Sequence, residues 1–374
     1  MIRFLLQAAT VRPAAPRAAS AHVASRPAMF RSLGWLLAAG LALGLAQGTA
    51  SAQATPTGQV FTANERGASL TRIDLAAGQS TTLPLSIAPH NAQVSATGRL
   101  LMAVGEPVAD GHAHGNGNGH AQGDEPGELQ LFGVDDFADG PLASIAVGSH
   151  PAHVVSDLDG RYAFVTNAGD DSVSVVDLTT REEIATIATG RYPHGLRLSP
   201  DGTELYVANV LDGSVSVIGL EAREELARIP VGKAPVQVGF TPNGERVFVS
   251  LRDENRVAVI DTASREVIAR VEVGRLPIQV HASPDGRLVH VANEGSREAP
   301  DNRVSIIDTA SLEVVATHEV GPGAHGVSVD DGGRFVFVTN LYGDSLSVID
   351  LEAGEVVATH GTGQGPNGVT WIAN

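Results

Sequence analysis

No cysteine occurs in this chain. Disulfide scaffolds, thiolate metal sites and thiol nucleophiles are therefore excluded together. Cations are scarce as well: 25 Lys and Arg stand against 42 Asp and Glu, a formal net charge of −17. So acidic a balance argues against duplex nucleic acid as the main partner, because phosphate binding wants a basic face. Nucleophile motifs, paired-carboxylate spacings and phosphate loops are also missing. Gly115-Asn116-Gly117-Asn118-Gly119 has no strand-to-helix context and cannot cradle a phosphate in the usual way. Helical patterning is absent beyond the first fifty residues, which leaves no dinucleotide fold for a nicotinamide or flavin. With 43% hydrophobic and 18% charged residues, the chain is still apolar enough to fold rather than remain disordered.

Residues 1–52 carry Arg3, Arg12, Arg17, Arg26 and Arg31 and no acidic residue. The apolar run Leu33 to Leu45 follows, then Thr49-Ala50-Ser51-Ala52-Gln53-Ala54. A basic start, a short greasy core and a small-x-small cleavage site describe a secretory signal peptide over 1–52. The run is shorter than the ~20 apolar residues of a membrane-crossing helix, so no membrane span is expected after cleavage. A start at Met29 would give a signal of more ordinary length. The mature protein is expected in the periplasm or secreted, where a cysteine-free chain is at ease.

What is abundant is glycine (42), proline (20) and valine, the composition of short strands joined by tight turns. Gly148, Gly190, Gly232 and Gly274 recur every 42 residues, as do Pro151, Pro193, Pro235 and Pro277. Each unit runs through a strand after the proline and then a turn such as Ser199-Pro200-Asp201-Gly202, where proline presets φ and glycine takes the positive φ. Second strands such as Phe164-Val165-Thr166-Asn167 and Tyr206-Val207-Ala208-Asn209 follow, then third strands such as Ser172–Asp177, then a fourth. Four antiparallel strands repeated at this period predict an all-β seven-bladed β-propeller over 57–374. The chain opens on a second-type strand, Gln59–Asn64, and ends on a first-type strand, Asn367–Ala373. The C-terminal strand is thus expected to close the ring by joining the N-terminal blade, which removes an exposed edge.

These VTN and VAN strands, SPDG turns and SVSVID strands resemble the YVTN-repeat (YncE-like) seven-bladed β-propeller family over residues ~57–374, essentially the whole mature chain. The resemblance implies the fold and leaves the chemistry open, since one architecture serves many functions.

Function must then be sought on a face. Two insertions break the period, a Gly/His-rich loop at about 107–127 and a shorter one within Glu294–Asn302, and both join second to third strands on the face bearing the Gly-x-x-Pro loops. On that face the two slots after each proline supply His90, His153, His194, Gln237, Gln279, His325 and Asn367, one imidazole or amide per blade. A seven-fold ring turns these slots toward the channel mouth, where they would bind a small molecule or a protein partner. Imidazole also ligates copper, zinc or iron. His90, His194 and His325, with His112, His114 and His120 of the inserted loop, are the candidate metal ligands, and copper or zinc the candidate cofactor. Solvated loop is the plainer reading of the inserted histidines, because ordering six glycines is costly. The main expectation is an exported monomeric binding module without catalytic residues. The alternative is a transition-metal oxidoreductase, lyase or lactonase. Arg252, Asp253, Glu254 and Asn255 are expected to pair locally, and Asp177, Asp261, Asp308 and Asp350 to cap turns.

Overall fold

A computed structural model describes residues 55–108 and 125–374. The segment expected to be a signal peptide and His112, His114 and His120 lie outside the described residues. Seven four-stranded antiparallel sheets form a ring of blades. No helix among the described residues is long and apolar enough to cross a membrane. The C-terminal strand Pro366–Ile372 pairs with Gln59–Asn64, from Gln59 opposite Ile372 to Asn64 opposite Pro366. This sheet, counted here as blade 1, is therefore built from both chain ends. Blades 2 to 7 follow in sequence, opening at Ile87–Val94, Pro151–Ser156, Pro193–Leu198, Pro235–Phe240, Pro277–Ala282 and Ala324–Val329.

The aliphatic alternation has a packing consequence. Each hydrophobic cluster spans two blades: Val215 and Val217 of blade 4 meet Val247 and Val249 of blade 5, all without solvent exposure. No blade could bury both its faces alone. The repeat glycine and the repeat asparagine form a matched pair. In blade 3, Asn167 Nδ2 donates to Ser172 Oγ (3.0 Å) and Ser174 Oγ (2.8 Å), closing the hairpin to the third strand. Its amide lies against the loop glycine: a Cβ on Gly148 would stand 2.6 Å from Asn167 Cγ, and one on Gly274 would stand 2.4 Å from Asn293 Cγ. Only glycine fits there.

The third-strand aspartates cap turns as expected. Asp177 Oδ1 accepts from the Thr179 N–H (2.8 Å), and Asp308 Oδ1 from the Ser311 N–H (2.7 Å).

Candidate functional site

The channel mouth is built from bulges. In blade 3 the register shifts between Pro151 and Val154, leaving Ala152 and His153 outside the ladder, and in blade 4 between Pro193 and Leu196, leaving His194 and Gly195 outside it. His90 is the extra residue between Pro89 and Asn91, and Asn367 the extra one beside Asn64. Gln237, Gln279 and His325 occupy the same irregularity in blades 5 to 7. Bulges redirect side chains, so all seven predicted residues leave the strands at one level.

Hydroxyls of the second strands fix these bulges. Thr166 Oγ1 accepts from the His153 N–H (2.9 Å) and donates to the His194 carbonyl of the next blade (2.6 Å). Ser250 likewise accepts from the Gln237 N–H (3.1 Å) and donates to the Ile278 carbonyl (2.5 Å). Each hydroxyl ties its own bulge to its neighbour's.

Three imidazoles from successive blades converge. The candidate ligand atoms of His90, His153 and His194 lie within 4.8 Å of one another. His90 Nε2 is 3.1 Å from His194 Nε2, across two blades and 104 residues. The orienting bonds are informative. His90 Nδ1 faces Glu65 Oε1 at 3.1 Å, and His194 Nδ1 donates to the Val236 carbonyl at 3.2 Å. With each Nδ1–H committed to an oxygen, the Nε2 atoms of both neutral rings present lone pairs to each other. Bare lone pairs at that separation repel, and a shared proton or a cation relieves them. His153 is held more loosely, with Gln237 Nε2 3.4 Å from its Nδ1. Gln237 Oε1 is itself fixed by the Val238 N–H (2.9 Å).

Protonation follows the surroundings. Burial pushes His153 and His194 well below the ordinary imidazole value, and the charges of neighbouring histidines push them further. Burial acts the same way on His90, but the Glu65 carboxylate outweighs it and raises His90. Burial alone would raise Glu65. The charge and hydrogen bond of His90, with a bond from Asn367 Nδ2, hold it below the usual carboxylate range instead.

His325 does not join the trio. Its Nδ1 donates to the Asn367 carbonyl (3.0 Å), and its Nε2 lies 3.7 Å from Glu294 Oε2. Glu294 also accepts from the Tyr342 hydroxyl, whose pKa is raised by burial and by that bond. Gln279 Oε1 accepts from the Val327 N–H at 3.4 Å. Of the Arg252 group only one pair is local as expected, Arg252 with Asp253 (2.9 Å); Glu254 accepts from the Lys233 N–H and Asn255 from the Leu276 N–H, each 21 residues away.

Sequence reasoning passed over the carboxylates of this mouth. Glu65, Glu106 and Glu294 occupy one slot, directly after the position of the second-strand asparagine. Glu106 pairs with His150. Aligning the repeats one residue further would have exposed this slot.

Two family models match parts of the chain: YNCE-like beta-propeller over residues 140–243 and Cytochrome D1 heme domain over residues 242–368. No curated protein matches. Among solved structures, hydrazine synthase of Kuenenia stuttgartiensis is similar at 21% identity and a TM-score of 0.63, covering 76% of this chain and 95% of that one. A functionally unknown protein from Desulfotomaculum acetoxidans has a TM-score of 0.69 at 14% identity, covering 85% and 99%. A candidate 6-phosphogluconolactonase from Bacteroides uniformis has a TM-score of 0.67 at 16% identity, covering 84% and 99%. At these identities the likeness is one of fold.

Proposed function

We propose that this chain, a YncE-like seven-bladed β-propeller, is an exported binding protein whose channel mouth takes one transition-metal ion on His90, His153 and His194. The observation that carries the reading is the convergence of three imidazoles with ligand atoms within 4.8 Å. Two of these rings stay neutral by burial, and a ligating histidine must be deprotonated. Glu65 behind His90 Nδ1 supplies the carboxylate–histidine pairing that orients metal-bound imidazole and raises its basicity. An all-imidazole set with no thiolate suits zinc or copper(II) rather than a soft monovalent ion. Export is supported by the basic start, the short apolar run and the small-residue cleavage site in residues 1–54.

A haem, which the second family match would imply, fits this mouth poorly. The matched stretch 242–368 holds none of the three converging histidines. Imidazoles this close suit a single ion, not a planar macrocycle.

Three protein ligands leave a coordination position free, the pattern of catalytic rather than structural sites. That favours a second reading, a metal-dependent enzyme of the oxidoreductase, lyase or lactonase kind.

The test is calorimetric titration of zinc and copper(II) into mature protein purified without an affinity tag. One ion per chain, lost in His153→Ala, is the expected result. No stoichiometric binding by a folded wild type would overturn the metal reading and return the mouth to an organic ligand or a protein partner.

A further inference from the structure

Below the imidazoles, the channel wall carries a cation that has no acid to meet. Arg197 sits on the innermost strand of blade 4, three residues beyond His194. It is half-buried, and among the described residues the one hydrogen bond of its side chain runs from Nη1 to the Leu196 carbonyl next door (2.9 Å). No described carboxylate lies within ion-pair distance of it. The contrast with the outside of the ring is sharp: Arg334 meets Asp350 through two bonds of 3.0 and 2.7 Å, and Arg303 is bound to both oxygens of Asp301. The rim carboxylates cannot serve Arg197 because each is spent: Glu65 on His90 and Asn367, Glu106 on His150, Glu294 on Tyr342 and His325.

The charge of Arg197 bears on His153 above and on His281 of blade 6, although burial is the larger cause of the depressed values of both, His281 falling to about 4. Burial lowers Arg197 itself to about 10, as expected of a desolvated cation lacking an anion. Gln279, which spends its Oε1 on Val327, has no protein partner for its amide hydrogens among the described residues. An unpaired cation partly removed from bulk water is unfavourable, and the partner that would relieve it is an anion.

We propose that the channel holds a small planar oxyanion, a carboxylate or an inorganic oxyanion, one end on the Arg197 guanidinium and the other completing the coordination of the ion on His90, His153 and His194. This rests on the metal reading above. The guanidinium fork matches a two-oxygen anion bidentately. A dication on neutral imidazoles beside a further cation leaves positive charge that an anion neutralises.

Cobalt(II) serves as the probe ion and formate as the probe anion. In cobalt-loaded protein, formate should shift the visible d–d bands. Arg197→Met should weaken formate binding at least tenfold while cobalt binds as tightly or more so, since a neighbouring cation is gone. Arg197→Lys, which keeps charge and loses the fork, should fall between, and it serves alone if Arg197→Met does not fold. Equal formate affinity in wild type and variants would overturn the subsite and leave the metal site standing. If wild type binds no cobalt, the metal reading fails by itself. The subsite is then judged in metal-free protein, where formate should raise the pKa of His281, followed by NMR, in wild type and not in the Arg197 variants. No shift there overturns it.

Discussion

Two sets of carboxylates, one on each face of the ring, are used in opposite ways. On the turn face, Asp177, Asp261 and Asp308 accept hydrogen bonds from backbone N–H groups two or three residues further on. Their partners come with the turn, and each would be satisfied in an isolated hairpin. On the mouth face, Glu65, Glu106 and Glu294 reach histidine and tyrosine side chains supplied by the next blade. These bonds exist only once neighbouring blades have packed together. A polar group satisfied inside its own turn shapes that turn, whereas one satisfied only across blades orients something at their junction. A blade-crossing bond is not enough by itself, since Glu204 on the turn face pairs with Arg265 of blade 5; Glu65, Glu106 and Glu294 differ in that their partners stand at the mouth we propose as the site.

The comparison breaks most completely if the ring is opened. Deleting Gly368–Asn374 removes most of the strand that pairs with Gln59–Asn64 and exposes the hydrophobic seams on both sides. We expect loss of cooperative thermal unfolding, followed by circular dichroism, and rapid proteolysis of the whole propeller. An unchanged melting temperature would show that closure is dispensable.

Next in size are changes that separate the mouth from the scaffold. His153→Ala should abolish stoichiometric metal binding. Glu65→Gln, which keeps shape and removes the carboxylate behind His90, should weaken metal affinity roughly 10–100-fold while the melting temperature of the metal-free protein changes little. Calorimetry and thermal melts on the same samples decide this. A large loss of stability with unaltered affinity would return Glu65 to the scaffold.

Much of this arrangement was legible in the sequence. The 42-residue period and the Ser-Pro-Asp-Gly turns dictate blades, and the unmatched strands at the two ends dictate closure. The seven mouth residues were legible because they share slots after the repeat proline. Two slots qualified instead of one because a bulge stands at that point in every blade. Which imidazoles meet was not legible. The 3.1 Å approach of His90 to His194 crosses two blades, and no spacing within one repeat encodes a distance across the ring. The sequence reading grouped His90 and His194 with His325, and the structure brings His153 to them instead. The glutamate slot was hidden because the repeat was read as ending at its asparagine.

Acid should reveal a third class of polar group, one satisfied on neither face. His290 stands opposite His281 in blade 6, fully buried, and neither ring nitrogen has a hydrogen-bond partner among the described residues. Burial, aided by the neighbouring His281, lowers its pKa to about 3. A histidine whose folded pKa lies below its unfolded value is taken up neutral, so its titration costs no stability above pH ~6.5. Below that the unfolded chain gains the proton first, and stability falls steadily toward pH 3. At 1.36 kcal/mol per pH unit, this group alone removes about 3 kcal/mol by pH 4. His290→Leu should flatten the acid limb of the stability curve. It should also stabilise the protein at pH 7 by about 1–3 kcal/mol, since two desolvated nitrogens disappear. Urea denaturation at pH 7 and pH 4.5 tests both. Parallel pH profiles for wild type and variant would place the acid sensitivity elsewhere.

The smallest effect should come from the turn face. Asp285 Oδ1 accepts from Ser283 Oγ (2.6 Å) and the Arg287 N–H (3.0 Å), and Oδ2 pairs with Arg287 Nε (2.6 Å). The Ser283 bond, then the Arg287 contacts, lower its carboxyl to about 2. This group is open to water, so screening reduces the ion pair to little. Asp285→Asn keeps an oxygen for the Ser283 hydroxyl and the backbone, and an asparagine fills the equivalent place in the Thr241–Gly244 turn, where Asn243 Oδ1 accepts from Thr241 Oγ1 (2.7 Å). We expect a stability change below about 1 kcal/mol and unaltered metal and formate affinities. The carboxylate has a depressed pKa yet no partner outside its own turn. A substantial loss of binding in Asp285→Asn would therefore break the rule that only acids satisfied across blades serve the site.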